Sequence, residues 1–425
     1  MKMKMSRLFK IFTQNNWPNI LLTGHRETLS TVSTFLDASP VYGPTDAIAF
    51  SKKTGYFGYL RAPESEEDED TKDRGSKKTP KKKSETTKCG APESLKGCFD
   101  ISDDAWVEGI KLLLIKEHNR LADALTELNP HFDDSLLYNE ARRMVIAEYD
   151  HITYGEYLPI LMGENLHKKH ALNPGAEGPG AGYIKEVNPG VLANFATISY
   201  RNPSMHTEWK QEWGPTELIE SSHYDAVKED AYHDLLALDI QRGRDQGVVG
   251  YLVWRRFCDN DKPYNTWEDL EKGLSKDIVA DLKTFYHDEI DDIDPQVAVL
   301  EAPLEGAIIG KTLSCLVADQ FARLKTGNRL YWEHESSMMT VEQKMWVKST
   351  SLARLLCTNL HLHAVPKNAF LPPSEKNPLV PCSELQTPPI EAWKDTALIE
   401  KMKELREGKT EGASIKEKTS KESEL

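Results

Sequence analysis

Apolar residues recur every three or four positions through most of the chain, which is the period of a helix packed on one side. The longest such run is "DDAWVEGIKLLLIKEHNRLADALTEL", beginning at Asp103, and either Asp103 or Asp104 supplies an N-cap. A second run, "SLLYNEARRMVIAEYDHITYGEYLPILMG", is expected to start at an N-cap Ser135 and to stop at Pro159, which has no N–H to continue the ladder. "EKGLSKDIVADLKTFY", "GKTLSCLVADQFARLKTG" and "TVEQKMWVKSTSLARLLCTN" repeat the pattern. Nowhere does strict apolar–polar alternation last long enough to build a sheet. The fold class read from this pattern is mainly α.

Two stretches lack the periodicity. Residues 62–97 pass from an acidic block, "ESEEDED", to a basic one, "KKTPKKK", with almost no large apolar side chains. Such a segment cannot bury enough surface to order itself, so it reads as a charged insertion within the domain. Residues 391–425 begin as a charged helix and end as a solvated tail. The division that follows is an N-terminal segment 1–29, a domain 30–390 and the tail 391–425.

Composition narrows the class. The chain has 425 residues, 39% hydrophobic and 28% charged, with a net charge of −14. That sign argues against nucleic acid as a partner. No apolar run approaches the ~20 residues of a membrane helix. "LFKIF" near the N-terminus is too short for the apolar core of a signal peptide, so the expectation is either a cytosolic protein or a chain without its true start. The six cysteines, Cys89, Cys98, Cys258, Cys315, Cys357 and Cys382, lack zinc or redox spacing, and their number alone leaves the pairing open. No glycosylation sequon is present, because Pro203 excludes Asn202-Pro-Ser.

Five stretches, in order, resemble the animal haem peroxidase superfamily of the myeloperoxidase and peroxinectin type. They are "TFLDASPVYG" (34–43), the run from Glu117 to Gly163, "LDIQRGRDQGVVGYLVWRRFC" (238–258), "VADQFARLKTGNRLYWEH" (317–334) and "SLARLLCTN" (351–359). The resemblance implies one large helical domain built around haem b. It also implies three disulfides, Cys89–Cys98, Cys258–Cys315 and Cys357–Cys382. Three matched bridges belong to an oxidising compartment, so the expected location is secreted.

Peroxidase chemistry needs an axial ligand that pushes electron density onto iron, a distal base and a distal cation. In the family the distal histidine lies in a Q-x-F-x-D-H-D type stretch upstream of the "LDAS" loop. Residues 1–29 carry only His25, in "TGHRETL", without that motif. A distal arginine is expected between the close cysteine pair and the "EHNRLA" helix, yet the segment from Cys98 to Asn119 contains no arginine. "FATISYRNPSMH" overlays the family segment that ends in the axial histidine. Arg201 then takes the place of an arginine near a haem propionate, and Ser204 takes the axial position. His206 is the substitute axial candidate, but two helical positions turn a side chain by about 200°. Asn359 matches the asparagine that orients the axial histidine. Only 37 positions separate Ser204 from Gln241, fewer than the family usually has. No catalytic residue is therefore assigned.

"STFLDAS" resembles the family's calcium loop. The matched oxygens are those of Ser33, the Phe35 carbonyl, the Asp37 carboxylate and the Ser39 hydroxyl, a hard-oxygen set that suits weak calcium binding. A further carboxylate comes in the family from the D-H-D stretch, so the site is expected to be incomplete. The alternative role of Asp37 and Ser39 is to cap the following turn. Arg242, Arg244 and Asp245 read as a buried charge cluster, and Glu117, His118, Asn119 and Arg120 as a helix–helix contact. His361 and His363 resemble a metal pair that the family does not use. The functional expectation is a secreted peroxidase-like protein without catalytic haem residues, serving as a binding or extracellular-matrix component whose partners are matrix or mineral. The rival is a working peroxidase that oxidises small donors with hydrogen peroxide, seen as an incomplete chain.

Overall fold

The computed structural model describes residues 33–61, 105–177, 181–199, 235–259, 264–360, 362–385 and 389–395. Helices dominate them: α1 (Ser39–Tyr42), α2 (Asp46–Lys52), α3 (Ala105–Leu128), α4 (Asp134–Ile152), α5 (Leu158–Met162), α6 (Glu164–Lys169), α7 (Leu235–Asp245), α8 (Tyr251–Cys258), α9 (Trp267–Leu270), α10 (Lys276–Phe285), α11 (Lys311–Gly327), α12 (Val341–Lys348) and α13 (Leu352–Asn359). The described strands, Ala364–Pro366 and Leu379–Pro381, form one short antiparallel ribbon in which Val365 faces Val380. The mainly α expectation holds.

Helix α3 lies along α4, and α11 packs against α5, α6 and α8. Between them runs one apolar core that includes Leu121, Leu125, Met144, Val145, Leu158, Met162, Val317 and Val347. Each such leucine or valine contributes about 1.5–3 kcal/mol by leaving water.

Local chemistry corrects three expectations. Helix α4 begins not at Ser135 but after Asp133, whose carboxylate accepts the Leu136 N–H at 2.8 Å. Asp133 stands in extended backbone, as a cap must, whereas Ser135 already lies inside the first turn. The chain also passes Pro159 without stopping. Residues Thr153–Tyr157 widen into a π turn, where the Leu158 N–H reaches back five residues to the Thr153 carbonyl. Pro159 then falls at the start of α5, where a missing N–H costs least. Gly163, with φ 82°, ends that turn. The third difference is "TVEQKMWVKSTSLARLLCTN", which forms two helices. Thr340 and Gln343 make a capping box at α12, and Ser351 caps α13 by accepting the Arg354 N–H.

Gly58 shows why one glycine is needed. Its φ is 70°, and a Cβ there would stand 2.6 Å from the Tyr138 backbone nitrogen. Its own N–H donates to Asp134 at the first turn of α4, at 2.8 Å. The chain stays packed at least to residue 395. Trp393 is buried with its ring 4.9 Å from that of Trp346, and Asn129 Nδ2 donates to its carbonyl at 3.0 Å.

Candidate functional site

Glu117, His118, Asn119 and Arg120 occupy one turn of α3 and divide by direction. His118 reaches Tyr42 of α1 and the loop before the charged insertion, and Asn119 holds that loop, so the expected helix–helix contact is present. The His118 ring bridges Tyr42 Oη at 3.0 Å and the Gly58 carbonyl at 2.9 Å, and Asn119 pairs with both backbone groups of Leu60. Burial lowers the His118 pKa to about 4, so the ring is neutral. Glu117 and Arg120 turn towards α13. Arg120 Nε donates to Glu117 Oε2 at 2.9 Å, and Asn359 Nδ2 donates to the same oxygen at 2.7 Å.

Asn359 closes α13, and its Nδ2 also donates to the Leu355 carbonyl at 3.0 Å. The N-terminal end of the same helix meets two more acids. Leu352 N–H points between the Glu156 oxygens, 3.3 Å from each, and Thr350 Oγ1 donates to Glu148 Oε1 at 3.0 Å. Burial raises the Glu156 pKa to about 7. Burial, and then the charge of Glu117, raise that of Glu148 well above the carboxylate range. Glu148 Oε2 has no hydrogen-bond partner, nor does Arg354 Nε. Two buried acids, Glu117 and Glu148, and the half-buried Glu156 thus converge on one eight-residue helix. The sequence reading named Glu117 and Asn359 but missed Glu148 and Glu156. Their signal was an acid set among apolar neighbours, in "MVIAEYDHITYGEY".

Ser33, Phe35 and Asp37 lie in the bent run before α1, and Ser39 is the first residue of that helix. Ser33 Oγ accepts the Phe35 N–H at 3.2 Å, and Asp37 Oδ1 accepts the Ser39 N–H at 2.9 Å. Ala38 between them adopts a left-handed conformation, φ 51°. Asp37 therefore does cap the turn, and one of its oxygens is used in doing so. Asp150 of α4 is only 3% exposed. Burial, and then the nearby Asp37, raise its pKa.

Two of the three expected bridges are present, Cys258–Cys315 and Cys357–Cys382. The first joins α8 to α11, and the second joins α13 to the turn after the ribbon. Cys89, Cys98, Arg201, Ser204, His206, His25 and His361 lie outside the described residues. His363 is exposed, and its backbone carbonyl accepts the Cys382 N–H. The Arg242–Arg244–Asp245 trio is not one buried cluster. Arg242 pairs with Asp239 at 2.7 Å. Arg244, with 60% of its side chain exposed, pairs with Asp294 at 2.5 Å, and Asp245 is exposed. At the end of α7 a short helix runs out of covering layer, so its last turn faces water. Arg255 is paired with Glu301 at 2.8 Å in a buried setting.

A disulfide-stapled helical domain with a buried acid–amide cluster at one helix and an oxygen-rich loop beside another is the class these features define. The chain belongs to the animal haem peroxidase family, whose sequence model matches residues 2–214 and 215–370. It is 30% identical to "Peroxidase" of Drosophila melanogaster over 88% of this chain and 61% of that one. It is 32% identical to "Chorion peroxidase" of the same fly over 86% of this chain and 51% of that one. The chain thus spans between about half and three fifths of the length of these relatives. In fold it is similar to peroxidase A of Dictyostelium discoideum, with a TM-score of 0.52, 22% identity, and coverage of 76% of this chain and 68% of that one. Among the described residues no helix is long and apolar enough to cross a membrane.

Proposed function

We propose that this chain is a secreted peroxidase-like protein that has kept the family's scaffold and lost its haem chemistry, acting as a binding component of an extracellular matrix. The observation that carries this reading is the serine at position 204, where the family places its axial histidine. A neutral hydroxyl is a poor iron ligand, so the donor set does not fit haem b, the cofactor the family implies. The stretch from Cys98 to Asn119 adds to this, because it offers no arginine to stabilise a departing oxygen. Both features are internal to the chain. Arg201 and Asn359 hold and orient in the family; neither performs the redox step. Asn359 has a second employment here, donating to Glu117. The two described disulfides support an oxidising location. The net charge of −14 and the "ESEEDED" block suit a basic or calcium-rich matrix. The oxygens of Ser33, Phe35, Asp37 and Ser39 suit calcium as a structural ion.

The test is reconstitution with hemin, followed by absorption spectra and a guaiacol-type assay. No sharp Soret band and no turnover above free hemin are expected. Ser204→His should improve haem binding and restore little turnover. A sharp Soret band with turnover, lost on His206→Ala, overturns the reading and makes His206 the axial ligand.

A further inference from the structure

We propose that the cleft between α6, α11 and residues 184–188 binds a small monocarboxylate with an apolar body, its carboxylate held by the free end of the Arg323 guanidinium. The cleft is open to solvent and has a volume of about 500 Å³. Ile184, Val187 and Ala322 give it apolar lining, and Arg323, His170 and Asn188 bring hydrogen-bond donors to it. A few polar groups set in apolar lining, within roughly 300–1,000 Å³, is the usual form of a small-molecule site. The donors indicate which ligand it takes. Arg323 Nε donates to Asp319 Oδ2 at 3.0 Å, which orients the guanidinium. Asn188 Oδ1 accepts the Gly190 N–H at 2.9 Å. Among the described residues, neither Arg323 Nη atom, nor Asn188 Nδ2, nor either ring nitrogen of the half-buried His170 has a hydrogen-bond partner. Burial lowers the His170 pKa, so the ring meets an anion as a neutral donor. Acceptors are scarcer. Asp319 already has its cation, and Glu186 is exposed to water. A carboxylate fits a planar guanidinium with two free ends better than any neutral acceptor does. Asp319 offsets part of the Arg323 charge, so the binding expected is modest.

The walls are tied to one another within the fold. The Ile184 N–H donates to the Thr326 carbonyl in the last turn of α11 at 2.8 Å, and the Val187 N–H donates to the Ile184 carbonyl at 3.1 Å. Gly327 lets the segment lie close on α11, because a Cβ there would stand 3.0 Å from Pro189 Cβ. Helix α6, which ends at His170, packs on α11 as well. A cleft formed in advance loses little freedom when a ligand enters. None of these residues belongs to the 33–39 loop or to α13, so binding here is independent of haem and of calcium.

The experiment is calorimetric titration of the full chain with 3-phenylpropionate and, separately, with 3-phenylpropanamide, which keeps the shape and removes the charge. The carboxylate is expected to bind with a Kd of about 1 mM or tighter, and about tenfold or more tightly than the amide. Arg323→Gln should remove that difference, and Ala322→Trp, which fills the cleft, should abolish binding. Circular dichroism checks the fold of each variant. No binding of the carboxylate at about 10 mM overturns the proposal. So does equal affinity for the two probes, a preference that survives Arg323→Gln, or binding unchanged by Ala322→Trp. Should Arg323→Gln not fold, Arg323→Lys takes its place. It keeps the charge without the fork and should weaken carboxylate binding about threefold or more, and an affinity within twofold of wild type overturns the assignment. Glu186→Gln tests for a cationic ligand instead. Removing that like charge should leave carboxylate affinity unchanged or raise it, whereas a loss of about tenfold would make Glu186 the holding group and end the Arg323 reading.

Discussion

Two buried charge networks sit near the two described disulfides, and they differ in how completely they are paired. Beside Cys258–Cys315, Glu301 accepts from Tyr251 Oη at 2.5 Å, Arg255 Nη1 at 2.8 Å, Thr312 Oγ1 at 2.6 Å and the Thr312 N–H at 2.8 Å. None of these groups is left without a partner. Beside Cys357–Cys382, Glu117, Glu148 and Glu156 bring three acids to α13, and both Glu148 Oε2 and Arg354 Nε stay unpaired. A closed network has its charges balanced within the fold and reads as architecture. An open one carries surplus charge that the fold alone does not use. The open network contains Asn359 of α13, which donates to Glu117.

The sharpest way to break the comparison is to open the closed network. Arg255→Ala leaves Glu301 buried without its cation, and losing one partner of a buried pair costs about 3–5 kcal/mol. Urea denaturation should show that loss. A change below about 1 kcal/mol would mean the network is not the structural one.

The staples come next. Cys258–Cys315 closes a loop of 57 residues and Cys357–Cys382 one of 25. Chain entropy makes them worth about 4 and about 3 kcal/mol respectively. Paired Cys→Ser variants should lose stability in that order. Equal losses would show that strain or residual structure, not loop length, sets the values.

Glu156 gives the open network a pH signature. Its folded pKa lies near 7, above the unfolded value, so the folded state binds the extra proton. Stability from this group is present below about pH 4.5 and is lost as pH rises towards 7. The loss is up to about 3 kcal/mol, less where water reaches the carboxylate. Glu156→Gln should flatten the stability profile across that window. A profile unchanged by the substitution would place the carboxylate in solvent.

The helices were legible because their apolar period is strong, and two bridges because their cysteines sit in matched motifs. Pro159 misled because its missing N–H was counted against an α ladder, while the chain uses a π turn just before it. Ser135 misled because a stronger cap, Asp133, stood two residues earlier. Arg244 misled because three charges within four residues do not say which helix end is covered. Glu148 and Asp150 were passed over because an acid on a helix is usually a solvated one. The burial of Glu148 depends on the segment that starts α13, some two hundred residues later in the chain. Periodicity within α4 cannot report that.

The smallest expected effect tests the open network directly. Glu148 is buried, feels Glu117, and has one oxygen unpaired. Gln has almost the same shape and carries no charge. In Glu148→Gln the side-chain carbonyl can still accept from Thr350 Oγ1, so the existing bond is kept. The amide brings donors next to Glu117, an acceptor, in place of a second acid. Removing a buried carboxylate that has a like-charged neighbour should therefore be neutral or stabilising, by about 1 kcal/mol at pH 7. The effect should vanish at acid pH, where Glu148 already holds its proton. Thermal melts at pH 5 and pH 8 decide it. A variant more stable than wild type only at pH 8 supports surplus charge in the open network. A loss of 3 kcal/mol or more at both pH values would show that Glu148 is as closely paired as Glu301, and the contrast between the two networks would disappear.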